Sequence, residues 1–317
     1  MRNTITICFA VGLLIVSSVQ TWAHGDPVRS FGAVGNYTTG GEVSEGVGFS
    51  IRYDRRAYDL FSDEQLLAFR AQGEDVHQHS SEETISLNFS VGLNKDWDLG
   101  FTLPAARFTG FKDNGDDFAI ANNTISETDV SQGLGDLVIL GRYRFFQKDD
   151  HHIAALMGVK LPTGDYRQRT NAGDLVGTHN QPGSGSVDFQ LGVAYTGHLQ
   201  DLLAISADLI SRVNTEGAGE FRSGNSILAD FAVGYRPHSA FVPFIELNAI
   251  FQQRDMEFDE VKKNSGVASL FVSPGFRLTL ARVHTLFASY SVPLWQSLPG
   301  IQNEEDYRLA FGYGIGF

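Results

Sequence analysis

Two stretches of this chain carry side chains able to hold a metal ion. FKDNGDDFA presents Asp113, Asn114, Asp116 and Asp117 around one glycine, a density of hard oxygen donors that suits calcium. Its spacing is not that of a complete EF-hand loop, and acidic turns are common on secreted surfaces. EDVHQHSSEE sets His77 and His79 two residues apart, beside Glu74, Asp75, Glu82 and Glu83. A chain starting at His24 would add an amine next to an imidazole. Imidazoles suit copper or zinc, and the alternative is that these loop histidines are simply solvated. Nucleophilic catalysis needs a serine, a histidine and an orienting partner. No G-x-S-x-G elbow occurs; Ser206 and Ser226 have no histidine evident on a neighbouring strand, which leaves only Ser273 with His284 to consider.

The larger set of charges is regular rather than clustered. Asp98, Asp136, Arg142, Arg144, Lys160, Asp188, Asp208, Arg212, Asp230, Arg236, Glu246, Arg277, Asp306 and Arg308 all fall on the same parity of alternating segments. The last segment, EDYRLAFGYGIGF, shows the pattern. Phe317, Ile315, Tyr313, Phe311, Leu309 and Tyr307 are apolar or aromatic, and the residues between them are small or charged. A period of two puts the sets on opposite faces of a strand. ETISLNFSVGL, SVDFQLGVAYTG and SILADFAVGYR repeat it, and about a dozen such strands can be traced, most near the length that crosses a bilayer.

The links between strands alternate in length. Asn94-Lys95, Gln147–His151, Gly197–Asp201, Pro237–Ala240 and Ala281–Val283 are short; 57–81, 108–133, 162–184, 215–223, 255–265 and 294–304 are long and polar. Transmembrane barrels have short periplasmic turns and long outer loops. The expected fold is therefore an all-β, antiparallel transmembrane barrel of about twelve strands, closed because unpaired backbone is intolerable in lipid. Trp97, Tyr143, Phe145, Tyr195, Tyr235 and Phe317, near short-turn ends, would form an aromatic girdle. Tyr313, Ile315 and Phe317 read as the terminal signal for the barrel assembly machinery.

The first residues, MRNTITICFAVGLLIVSSVQTWA, have the basic start, short apolar core and small-residue end of a cleaved export signal. The expected divisions are a signal at 1–23, a periplasmic lead-in at 24–45 and an outer-membrane barrel at 46–317. The single cysteine, Cys8, lies in the signal, which removes disulfides and thiol chemistry from the mature chain. A net charge of −13 argues against nucleic acid. Mean hydropathy is only −0.12, as alternating strands allow.

Gly133–Asp136, Lys160–Asp165 and Gly183–Tyr195, reading GLGD, KLPTGD and GSGSVDFQLGVAY, resemble the outer-membrane transporter family named for the meta-pathway of phenol degradation. The resemblance runs more weakly from about residue 82 to the C-terminus, and implies passage of aromatic or other hydrophobic compounds. From the residues themselves, KLPTGD reads as a strand end followed by a turn. Together these suggest a passive outer-membrane channel for small solutes, working among lipid and lipopolysaccharide and without a cofactor. The alternatives are a barrel enzyme acting on lipids or a sealed structural or adhesive barrel. The lumen charges would either screen permeants or pair with one another and fill the interior.

Overall fold

The computed structural model describes residues 36–43, 46–115, 123–169, 181–199, 202–236 and 240–317. The signal, His24, Asp116 and Asp117 fall outside these residues.

Strand β1 (Val47–Tyr58) leads through helix α1 (Asp63–Ala71) and the short β2 (His77–Gln78) to β3 (Ser81–Asn94) and β4 (Trp97–Asp113). β5 (Ser126–Leu134) and β6 (Leu137–Lys148) share one place in the wall, both pairing with β4. β7 (His151–Leu161), β8 (Asp188–Leu199) and β9 (Leu203–Val213) follow, then the short β10 (Phe221–Arg222) and β11 (Ser226–Tyr235). β12 (Phe241–Gln252), the two-residue β13 (Met256–Glu257) and β14 (Glu260–Val261), β15 (Val267–Leu280), β16 (His284–Ser297) and β17 (Glu305–Gly316) complete the chain. Each wall strand pairs antiparallel with its neighbours, and β1 pairs with β17 from Gly48↔Gly316 to Tyr58↔Glu305. The result is a closed barrel of 12 strands.

Burial identifies the medium on each side. Leu191 is 61% exposed, Ile245 59% and Phe311 55%, whereas Glu246, Ser206, Ser273 and Ser291 are wholly buried. A water-soluble barrel would place these sets the other way round. Apolar residues outside and polar residues inside match the lipid and lumen faces of an outer-membrane barrel. Trp97 stacks on Tyr143, His151 on Tyr195 and His284 on Tyr313 at the short-turn rim, where an aromatic girdle belongs.

The long connections are more ordered than "loop" suggests. β4 and β5 extend as a paired ribbon from Ala105↔Leu134 to Asp113↔Ser126, through most of the stretch expected to be an outer loop. Helix α1 starts with a capping box between Ser62 and Gln65 and buries Leu66 completely. Asn114 ties this excursion together, donating to Leu66 O at 2.7 Å and accepting from Val76 N at 2.9 Å. The loop after β12 then clasps it, with Lys263 on Glu74 and Asn264 Nδ2 donating to Asp75 O at 2.7 Å. Burial pulls the His77 imidazole there down to about 4, against the opposing pull of Asp75.

Candidate functional site

The lumen is crossed by the chain's own N-terminal side. Residues 36–43, expected as a periplasmic lead-in, lie inside the wall. The backbone N–H groups of Asn36, Tyr37 and Thr38 all donate to the Glu246 carboxylate, at 2.7–3.0 Å for the shortest contact of each. Thr39 N donates to Asp208 Oδ2 at 2.6 Å and Gly41 N to Thr196 Oγ1 at 2.9 Å. From the wall, Arg142 Nη1 donates to the carbonyls of Thr39 and Gly40 at 2.9 and 3.0 Å. Arg52 donates to Asn36 O, and its guanidinium lies 4.8 Å from the Tyr37 ring centroid. A buried carboxylate is costly unless its lone pairs are filled, and three converging N–H groups fill them. A Cβ at Gly41 would come within 2.5 Å of His152 O and 2.9 Å of Ala194 O, so only glycine lets the strap approach the wall here.

Between the strap and the outer loops lies a cavity of about 840 Å³. Arg52, Arg56, Lys160, Arg212 and Arg277 face it, with Asp54, Glu82, Asp136, Asp188 and Asp255. Most of these are internally matched: Arg52–Asp54 at 2.6 Å, Arg56–Glu82 at 3.4 Å, and Lys160 between Asp136 at 3.4 Å and Asp188. Val138 and Leu140, which interrupt the alternation of polar residues on β6, face inward. Val138 lines the cavity, and Leu140 joins Leu156, Ala194, Ile210 and Leu228 in an apolar patch on the inner wall.

One corner of the cavity gathers the three motifs that first suggested a family. Pro104 has no N–H to offer the ladder, and opposite it the wall strand breaks between Leu134 and Leu137. Asp136, at the break, accepts from Gly164 N at 2.9 Å, Ser184 N at 2.9 Å and Ser184 Oγ at 2.6 Å. Asp165 N donates to Leu134 O at 2.7 Å, and Gly183 N to Asp165 O at 2.9 Å. A Cβ on Gly164 would lie 2.6 Å from Gly135 C and 2.8 Å from Gly183 Cα. GLGD, KLPTGD and GSGS thus form one knot that draws the described ends of the connection after β7, 162–169 and 181–187, onto the break. KLPTGD is more than a strand end.

Asp98, Asp136, Arg142, Asp188, Asp208, Asp230, Glu246 and Arg277 are buried on the inner side, and Lys160 and Arg212 line the cavity. Arg308 is held by Glu305 and stacks 3.7 Å from the Phe271 ring centroid. Arg144 sits at the short-turn rim, bonded to Lys95 O, and Arg236 lies just past the end of β11. Asp306 is the exception. A bulge opposite Ala57 and Tyr58 inverts the alternation, so Glu305 is buried and Asp306 exposed. Arg52, Asp54 and Arg56 were not anticipated, although VGFSIRYDRRAY has the alternation that places them. The strap residues carry no such period.

His77 stacks near Phe111, whereas His79 packs edge-on against Tyr58 and Phe108. Among the described residues, His77, His79 and Asp113 included, no three His, Cys, Asp or Glu side chains gather as a metal site. Ser273 bonds Asn248 and Ser291 inside the barrel, while His284 bonds Tyr313 Oη at 2.6 Å on the outer face, so these two do not form a catalytic pair. Tyr313 and Phe317 are exposed on the outer face, and Phe317 N closes the seam on Val47 O at 2.9 Å.

Comparison with solved structures places the fold beside the COG4313 outer membrane channel from Pseudomonas putida F1, with a TM-score of 0.59 at 17% identity, over 87% of this chain and 97% of that one. The NanC porin (TM-score 0.46, 10% identity, 84% and 98% covered) and the deltaS2S3 mutant of the monoaromatic hydrocarbon channel TodX (0.45, 8%, 92% and 92%) are more distant. A search of curated proteins finds no match. Residues 55–297 match the family described as "Putative MetA-pathway of phenol degradation". That match spans the wall from β1 to β16 and contains the whole Gly–Asp knot, and on it this outer-membrane barrel belongs to that family.

Proposed function

We propose that the chain is a passive outer-membrane channel for small organic solutes of hydrophobic or aromatic character. The observation that carries this reading is the 840 Å³ cavity inside a closed, lipid-facing barrel, lined by polar groups and by the rings of Phe108, Phe221 and Phe287. Solutes enter between the clasped outer loops, rest in the cavity and leave toward the short-turn rim past the strap. The description of the family supports an aromatic solute, and the fold shared with a protein named an outer membrane channel agrees with passage. A sealed barrel is the second reading, favoured by the strap itself, which bonds to opposite sides of the lumen.

Planar-bilayer recording decides between them. The mature chain, shown to be folded by heat-modifiable gel mobility, is compared with a variant lacking 36–43, each with and without added phenol. A channel gives current steps that grow in the variant and that phenol reduces. Folded protein that carries no current in either form would leave the sealed barrel in place.

A further inference from the structure

The charges facing the cavity do not all have partners of opposite sign. Arg52 is bidentate on Asp54, and Lys160 bridges two aspartates. Arg212, on β9, makes no hydrogen bond or ion pair with a described residue, and its Nε is buried without an acceptor. Arg56, on β1, bonds Glu82 at 3.4 Å and also lines the cavity. In the order of the wall β1 and β9 are diametrically opposite, with β3, β4, β5/β6, β7 and β8 between them on one side. Two guanidinium groups therefore converge on one cavity from facing walls, close enough for the charge of Arg56 to act on Arg212. The carboxylates whose charge reaches Arg212, namely Asp188, Asp208 and Asp230, accept from other groups: Thr215 N at 2.9 Å, Thr39 N at 2.6 Å and Asn248 Nδ2 at 2.7 Å. None of them bonds to Arg212, and a buried guanidinium nitrogen without an acceptor is costly. Apolar side chains line the same cavity, among them Val138, Phe108 and Phe221.

We propose that this cavity binds a small monocarboxylate with an apolar or aromatic body, the carboxylate held between Arg212 and Arg56 and the body laid against the apolar lining that includes Val138. A planar guanidinium is suited to this task because its fork matches a carboxylate in two parallel hydrogen bonds. The site rests on the channel reading for access to its ligand and narrows that reading to organic acids.

Benzoate and its neutral counterpart benzyl alcohol are the probes, added to the folded mature chain in planar bilayers. Benzoate is expected to block current at lower concentration than benzyl alcohol. Arg212→Gln raises the half-blocking benzoate concentration about tenfold and leaves benzyl alcohol where it was, while Arg212→Lys loses less. Equal block by the two probes, or an unchanged benzoate curve in folded Arg212→Gln, overturns the site and leaves the channel standing. If the protein carries no current the channel reading falls, and calorimetric titration of benzoate into the detergent-held barrel then decides the site alone. Heat that disappears in Arg212→Gln supports it, and no heat overturns it.

Discussion

Arg142 and Asp98 show how a single residue links wall and strap. They face each other across β4 and β6, 2.7 Å apart, with side chains 3% and 4% exposed. The same guanidinium donates to two strap carbonyls. Removing one member of a buried pair strands the other, at about 3–5 kcal/mol. Arg142→Ala should therefore lower the temperature at which the barrel unfolds on a gel, and adding Asp98→Asn should restore part of the loss. That both residues face inward was legible from a period of two. That they touch was not, because register between strands more than 40 residues apart is set by pairing and is not written in either strand. Asp306 marks the limit of the parity argument, since a single bulge exchanged its face with that of Glu305.

At the scale of elements, the connections carried the most information that the sequence withheld. The Gly–Asp knot depends on backbone approaching backbone, and Gly164→Val would force a side chain into Gly135 and Gly183. The expected result is a knot that no longer closes, read as faster proteolysis within 162–169 with the barrel still folded. The outer clasp should respond to acid. His77 has its pKa lowered to about 4 by burial, with His79 and Lys262 adding to the shift and Asp75 and Glu257 opposing it. Its ordinary value is near 6.5, so the opened clasp binds the proton more readily than the closed one. Stability of the clasp is complete above about pH 6.5 and falls as pH drops toward 4. Amide exchange in 57–80 should quicken over that window, and His77→Gln should remove the dependence. The strap was illegible for a plainer reason: Asn36–Val43 has no period, and its partners stand up to 253 residues away.

The whole molecule was the most legible level, because lipid and lumen impose opposite demands on alternate residues of every strand. Twelve strands, alternating link lengths and the outward aromatics followed from that one constraint. It also makes the outer face intolerant of charge. Leu191, 61% exposed on β8, meets lipid, and Leu191→Arg should cost about 2–4 kcal/mol near the midplane, seen as a lower folded yield in bilayers. The inward neighbour Gln190, which lines the cavity opposite Arg212, should accept glutamate with little change in yield.

The strap also implies an order of events. Synthesis and export deliver residues 36–43 early, yet Glu246 and Ser289, to which they bond, come near the end of the chain. No amount of early folding can seat the strap, because its docking surface exists only after β12 and β16 have joined the wall. Seating it is therefore a late step in the life of each molecule, and a protease site placed within 36–43 would serve as a clock, cut in every incomplete barrel and shielded once the wall has closed.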